Sequence, residues 1–316
     1  MAERGARARD LAVVVVNYGS HEIVERNLRR TLEGDSVGHV VVVDNLSTTT
    51  ERARIAAVCD ANGWDLIAQP DNDGFGGGNN VGAAHAIERG AREILFINPD
   101  AYLEPGGARR LQEQVRADPM LQLSPEVVRP GGAIYAAEMH LHLRFGESRS
   151  ARRTAPEAPA DSLRTWVSGA CFMMSAELWE TVGGFDDDYF LYWEDVDLSR
   201  RVELAGGRVR SDPAVQAVHD EGATHRATEA VRVKSPIYYF YNCRNRLVYA
   251  TKMLSPAESR RWLWLTPYAS YRILLQGGRR QFVHPRLNLI PAIRGSWSGV
   301  RYWWARRRRD GRQKRP

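Results

Sequence analysis

LAVVVVNYGSHEIVERNLRRTLEGDSVGHVVVVDN, residues Leu11–Asn45, holds two valine-rich runs with a helix-length stretch between them. Leu11–Val16 and Val40–Val43 are continuous apolar runs of the kind buried on both faces of a parallel sheet. Ser20 is placed to cap a helix that ends near Gly34. Strand, helix and strand in that order form a βαβ unit, which returns right-handed into one sheet. The pattern continues outward with a helix from about Thr50 to Ala61, stopped by Asn62-Gly63, and a strand at Trp64–Ala68. A small helix around Val81–Glu88 and a strand at Glu93–Ile97 follow. This is an α/β fold with a mostly parallel central sheet. Ligands of such sheets bind beyond the carboxyl ends of the strands. Here those ends read Asn17-Tyr18, Asp44-Asn45, Asp71-Asn72 and Asn98-Pro99-Asp100.

The middle changes character. Ile134–Phe145 alternates apolar and polar residues and reads as an antiparallel strand, and Gly146–Leu163 as a mobile, Ala/Pro-rich loop. Order returns at Trp166–Met174, before a short helix ended by Gly183-Gly184. Beyond His225 the chain turns helical and aromatic, punctuated by Pro236, Pro256, Pro267, Pro285 and Pro291. The expected division is an α/β domain over residues 1–226 and a basic, aromatic helical region over 227–316.

Composition sets bounds. With 316 residues, 43% of them hydrophobic, the chain has enough apolar side chain for a sizeable core, which excludes disorder. Cys59, Cys171 and Cys243 are too few and too scattered for a disulfide framework or a CxxC zinc site, so a reducing cytosol is expected. The N-terminal apolar run is too short for a signal peptide, and no window reaches the roughly 20 apolar residues of a membrane span. The net charge of +6 hides a split: Tyr241–Pro316 carries 18 Lys and Arg against two acids, a net of +16, which leaves −10 on the rest.

Three stretches can carry chemistry. DNDGFGGGNNVGAAHA (Asp71–Ala86) has glycines that let a ligand approach the backbone ahead of a helix. It lacks the spacing of a dinucleotide fingerprint and the Gly-Lys-Ser/Thr of a Walker loop, and a plain surface loop is the lesser alternative. Asn98-Pro99-Asp100 puts a carboxylate at a strand end, where Mg²⁺ or Mn²⁺ needs only one or two protein carboxylates beside a diphosphate. Taken alone it is more often a turn. FDDDYFLYWEDVDL (Phe185–Leu198) interleaves acids with aromatics, which suits a sugar site, while lacking the spacing of an EF-hand. Glu194, Asp195 and Asp197 open a helix there, and Asp197 can pair with Arg201 one turn on. His219 follows a strand-like Val215–Val218 and is uninformative alone.

Their joint order resembles the family 2 glycosyltransferases of GT-A fold, in particular their rhamnosyltransferase-like branch. The matching pieces are VVVVNY (13–18), VVVVDNLST (40–48), NDGFGGGNNVG (72–82), INPDA (97–101), WVSGACFMM (166–174), GGFDDDYFLYWEDVDLSRRVELAG (183–206) and HDEGAT (219–224). The resemblance implies an inverting transfer of a sugar, L-rhamnose from dTDP-L-rhamnose first, from a nucleotide-diphosphate donor to an acceptor hydroxyl in glycan or polysaccharide synthesis. A UDP-sugar such as UDP-galactofuranose or UDP-N-acetylglucosamine is the alternative donor, and a non-catalytic nucleotide-sugar binder the alternative class. Carried over, Asp195 matches the general base, and Asp100 and His219 the ligands of Mg²⁺ or Mn²⁺. Asn17, Tyr18, Asp44, Asn72, Gly74, Asn80 and Asn98 match the nucleotide side; Ser168, Gly169, Ala170, Trp193 and Glu194 match the sugar and acceptor side. Asn98 stands where the family's metal motif has its first acid, which weakens metal binding, and Glu126–Ser162 matches nothing.

The tail RYWWARRRRDGRQKRP mixes Trp and Tyr with Arg, as expected of a segment resting on anionic lipid. No RNA- or DNA-binding motif is present, so no nucleic-acid partner is expected. The expected location is the cytoplasmic face of a membrane, held peripherally. Loss of residues 301–316 is expected to spare catalysis.

Overall fold

The computed structural model describes residues 10–153, 159–220, 234–278 and 285–313. The first half is β1 (Leu11–Asn17), α1 (His21–Thr31), β2 (His39–Asp44), α2 (Thr49–Asn62), β3 (Asp65–Ala68), α3 (Gly74–Glu88) and β4 (Glu93–Ile97). These strands lie side by side in the order β3-β2-β1-β4 and all run parallel, as the repeat of valine runs predicts. Register sets Asn17 opposite Asp44, so the two polar strand ends are neighbours. Ser20 does not cap α1 with its side chain; it donates instead to Asn17 Oδ1.

The glycine run is helical, not a loop. α3 begins at Gly74, seven residues ahead of the expected start, because its glycines let it lie close on β1. A Cβ at Gly78 would sit 2.8 Å from a Val16 methyl, and one at Gly82 2.5 Å from a Val14 methyl. Each glycine costs a helix about 1 kcal/mol relative to alanine. Close contact with the sheet offsets that cost.

The chain continues through β5 (Ala101–Leu103), α4 (Gly107–Ala117), β6 (Leu121–Val128), β7 (Ile134–Ala136), β8 (Met139–His142) and β9 (Glu147–Ser150). Then come β10 (Leu163–Trp166), β11 (Cys171–Ser175), α5 (Ala176–Val182), α6 (Glu194–Leu204) and β12 (Arg208–His219). β11 joins the main sheet antiparallel to β4, and β6, β12 and β5 extend it. The expected strand Ile134–Phe145 is two short strands, of which β7 pairs with β6 and β8 with β9 and β10 in a small second sheet. Most of the expected loop has regular structure instead: Glu147–Ser150 is a strand, Ala151–Arg153 and Ala160–Ser162 are short 3-10 turns, and residues 154–158 lie outside the description. The proposed boundary at 226 also falls outside the described residues.

Four helices close the chain: α7 (Pro236–Met253), α8 (Pro256–Trp264), α9 (Thr266–Leu275) and α10 (Leu289–Gln313). α10 lies tightly along α7, since a Cβ at Gly295 would collide with the Phe240 carbonyl and one at Gly299 would come 2.8 Å from that of Arg244. Trp303 is buried and donates its indole N–H to Ser259 Oγ at 2.7 Å. Trp262, wholly buried, donates to the Leu143 carbonyl at 2.7 Å and so ties the second sheet to the bundle.

The bundle also grips the acidic stretch ahead of α6. Lys252 Nζ lies 2.5 Å from both Asp186 and Asp188, and Tyr302 Oη donates to Asp188 at 2.7 Å. Burial raises the Asp188 pKa, but these two donors and the Lys252 and Arg244 charges outweigh it and hold the carboxyl below its usual range. Tyr192 and Trp193 both take left-handed backbone, with φ of 67° and 76°. Such a conformation costs roughly 1–3 kcal/mol per residue outside glycine. The buried Asn245 on α7 holds this turn, its amide donating to the Leu191 carbonyl at 3.0 Å and the Tyr192 carbonyl at 2.8 Å.

Two outcomes are expected. Asn245→Ala leaves the strained turn without its donors and lowers stability in urea unfolding by about 2 kcal/mol. Truncation after residue 300 does not spare the protein, contrary to the sequence expectation, because it removes Tyr302 and the buried Trp303. Trp303→Ala alone loses about 3–5 kcal/mol, read as a lowered melting temperature.

Candidate active site

Four strand ends and one helix start form a candidate site at the carboxyl edge of the parallel strands. On its first side Asn17 and Asp44 are fully buried, with Asn17 Nδ2 donating to Asp44 Oδ1 at 3.5 Å. Asp44 Oδ2 accepts from Arg52 Nε at 2.7 Å, and Arg52 also donates to the Gln69 carbonyl. A fully buried carboxylate is stable only when paired, and Arg52 supplies the pair. Tyr18 projects beside them, 65% exposed. Asn45 then closes the turn into α3. Its amide donates to Asn72 Oδ1 and to the Gly74 carbonyl, both at 2.9 Å, and its carbonyl accepts from Asp73 N–H. Gly74, at φ 77°, has no room for a side chain against the Phe190 carbonyl.

The second side is built by β4, β5 and β12. Pairing of His219 with Ala101 puts the imidazole beside Asp100, and His219 Nε2 lies 3.0 Å from Asp100 Oδ1. Both residues are buried. Among the described residues His219 Nδ1 and Asn98 Oδ1 are buried without a hydrogen-bond partner. No cluster of three or more His, Cys, Asp or Glu suited to a metal occurs among the described residues, so a metal here would rest on Asp100 and His219 alone among such side chains. The 3.0 Å separation is that of a hydrogen bond; a Mg²⁺ or Mn²⁺ held here would take both side chains and leave most of its shell to phosphate and water.

Asp195 forms the third side. It opens α6 and accepts from Gly169 N–H at 3.2 Å and from Val196 N–H at 2.9 Å. Burial pushes its carboxyl up to about 6, restrained by the backbone N–H groups of Gly169 and Val196. Ala170, next to Gly169, accepts from Asn98 N–H at 2.9 Å, and Ser168 Oγ accepts from Ala170 N–H. A continuous run of hydrogen-bonded backbone therefore joins Asn98 to Asp195.

The neighbouring acids are settled differently. Asp197 is fully buried, paired to Arg201 at 2.7 Å and bonded to Tyr189 Oη at 3.1 Å, the i,i+4 pair expected. Glu194 is buried, and burial, then the charge of Asp195, pushes its carboxyl well above its ordinary value.

Two expectations need correction. Trp193 does not offer its face to a sugar: it is 9% exposed and packs against Tyr249 and Trp262. Phe190 and Tyr192 likewise pack on Tyr241 and Tyr238 of α7. Asn80 does not face the nucleotide side. Its amide bonds the Phe185 backbone in both directions, at 2.8 and 2.9 Å, and staples α3 to the acidic stretch. Of HDEGAT, residues 221–224 lie outside the described residues. Sequence reading missed Arg52, Asn45 as a turn-former, and Asn245. Arg52 has no motif to mark it, and Asn245 lies on a helix distant in the chain from everything it holds.

The family profile described as glycosyltransferase-like family 2 matches residues 8–236. A low-salt glycan biosynthesis hexosyltransferase of Haloferax volcanii is 24% identical over 92% of this chain and 91% of its own. A dTDP-rhamnosyl transferase of Shigella flexneri is 24% identical over 93% and 98%. An N-acetylglucosaminyl-diphospho-decaprenol L-rhamnosyltransferase of Mycobacterium tuberculosis is 28% identical over 66% and 75%. Among solved structures, a mannosyltransferase of Pyrobaculum calidifontis in complex with GDP-Man and Mn²⁺ superposes with TM-score 0.55 at 17% identity, covering 97% of this chain and 88% of that one. GalNAc-T7 with UDP, GalNAc and Mn²⁺ gives 0.56 at 14% identity over 85% of this chain, which spans 58% of the length of that protein. The GT-A fold and a family match over most of the chain agree with the cleft: the chain belongs to glycosyltransferase family 2 and is a nucleotide-sugar transferase.

Proposed function

We propose that the protein transfers L-rhamnose from dTDP-L-rhamnose, with inversion, to a hydroxyl of a lipid-linked glycan at the cytoplasmic face of a membrane. The observation that supports the reading is the hydrogen-bonded path Asn98–Ala170–Gly169–Asp195, which links the Asp195 carboxylate to the strand end next to the Asp100–His219 pair. Rhamnose is favoured over a UDP-sugar by the names of the Shigella and Mycobacterium relatives, and the hexosyltransferase of Haloferax keeps other hexoses as the second reading.

In this mechanism Asn17, Tyr18, Asp44, Asn72 and Gly74 bound the nucleotide site, and Asp44 presents a buried carboxylate already neutralised by Arg52. Asp100 and His219 would hold Mg²⁺ or Mn²⁺, which when bound stabilises negative charge on the departing diphosphate. Asp195 takes the proton of the acceptor hydroxyl as that oxygen bonds the anomeric carbon and the bond from that carbon to the diphosphate breaks. Displacement from the opposite face inverts the centre. Burial and the Asp195 charge raise the Glu194 carboxyl well above its ordinary value, which favours a single charge on the pair, carried by Asp195. Ser168, Gly169 and Ala170 wall the sugar side, with the Gly169 amide aiming the base.

Asp195→Asn is expected to lower kcat by ~10²–10⁴ while leaving donor-induced thermal stabilisation intact. Full activity in this variant would remove Asp195 from the mechanism. The base works only as the carboxylate, so in the wild type kcat/KM should rise as pH increases through about 6 and level off above it. A profile that is flat from pH 5 to 8 would contradict the assignment.

Asp100→Ala and His219→Ala are each expected to abolish the Mn²⁺-dependent part of donor binding. Donor at 100 times its dissociation constant adds about 2.7 kcal/mol of stability, which a thermal-shift titration with Mn²⁺ or EDTA reads directly. Equal donor stabilisation with Mn²⁺ and with EDTA would overturn the metal assignment.

A further inference from the structure

α10 has two unlike faces. Ala292, Gly295, Gly299 and Trp303 are buried toward the rest of the bundle. The opposite face carries Ile290, Ile293, Trp297 and Trp304, which are 43%, 59%, 64% and 53% exposed. Arg294, Arg301 and Arg308 are exposed among them. At 3.6 residues per turn these seven positions fall within about 100° of the helix circumference. Large apolar side chains exposed in a continuous stripe mark an interaction surface.

The charge of the stripe selects its partner. No acid occurs on α10 before Asp310. A second copy of this face would bring arginines against arginines with nothing to neutralise them. The partner is therefore anionic. Exposed isoleucines gain nothing from phosphate or from base stacking, so the partner is apolar beneath its charge. A lipid headgroup layer over acyl chains has both properties, and arginine can bury its methylenes while its guanidinium stays among headgroups.

We propose that the Ile290–Arg308 stripe of α10 is a docking face for an anionic lipid surface, with Ile293, Trp297 and Trp304 entering the interface and the three arginines holding headgroups. Of the two adjacent tryptophans in the tail only Trp304 faces out, since Trp303 is core. The inference deepens the lipid-linked acceptor reading but needs neither donor nor acceptor for its test, so the two fail separately.

The experiment is co-sedimentation of the full chain with phosphatidylcholine vesicles, with and without phosphatidylglycerol. The wild type should bind only the anionic vesicles. Replacing Arg294, Arg301 and Arg308 together by Gln should weaken partitioning by about fivefold per arginine, or roughly 100-fold in all, the equivalent of ~1 kcal/mol for each. Replacing Ile293, Trp297 and Trp304 together by Ser should leave a residual binding that salt removes, because exposed charge is screened within ~3 Å at 1 M. These side chains are exposed, so an unchanged melting temperature should accompany both variants. Should a triple variant misfold, Trp297→Ser alone should reduce the quenching of tryptophan fluorescence by brominated lipid. Either triple variant binding like the wild type would overturn the proposal. So would RNA binding without vesicle binding, or a dimer that the Ser variant dissociates in a protein that ignores vesicles.

Discussion

The antiparallel seam between β4 and β11 is the constraint on which the cleft depends. β4 ends the parallel half of the sheet and delivers Asn98 and Asp100, whereas β11 leads back from Ser168-Gly169-Ala170. Their register, with Phe172 opposite Phe96 and Cys171 opposite Ile97, is locked by ring packing: Phe96 stacks on Phe172 at 4.7 Å and on Trp179 at 4.4 Å. A slip of one residue would turn every buried side chain of β11 to the other face. Because that slip is prohibited, the Ala170 carbonyl meets the Asn98 amide, and the Gly169 amide is left pointing at Asp195. The strand end that carries Asn98 and the helix start that carries Asp195 are thereby tied together.

The C-terminal helices buttress this construction from behind. Left to itself, a turn with two consecutive aromatic residues in left-handed backbone would relax. α7 opposes that with Asn245, with Arg244 on the Asp188 carbonyl, and with Lys252 on two acids. The aromatics of the acidic stretch pack on the same helix. What reads in one dimension as an appendage is in three dimensions part of the wall that holds the start of α6, and with it Asp195. The outward face of the bundle remains free for another role, which is why Trp303 and Trp304, adjacent in the chain, have opposite environments.

Three carboxylates in one helical turn would repel one another, and the fold resolves the conflict by giving each a different solution. Asp197 is neutralised by Arg201, which also donates to the Val182 and Gly184 carbonyls. Burial and its neighbour's charge raise the Glu194 carboxyl well above its ordinary value. Among the described residues Asp195 has no cation paired to it in this way; burial raises it to about 6, and the amides at the helix start hold it back. A base whose pKa lies a little below neutrality is ionised when needed and still accepts a proton readily.

The sequence by itself determined the parallel half of the sheet, the strand ends that line the cleft, and the family. Val13–Val16 and Val40–Val43 can only be buried strands, and the polar residues that stop them must lie together once the strands pair. Asp100 and His219, far apart in the chain, were legible as a pair only through family resemblance, and β5–β12 pairing makes them neighbours. The tertiary structure decided the rest. It made the glycine run a helix, since only the facing Val14 and Val16 reveal why those positions exclude side chains. It turned Trp193 inward, gave Asn80 to the Phe185 backbone and assigned Asn245 to the strained turn. Local pattern encodes which residues are buried and with what periodicity, but a hydrogen bond between distant segments has no local signature. Such contacts exist only after the elements have docked, and they hold the proposed base in place.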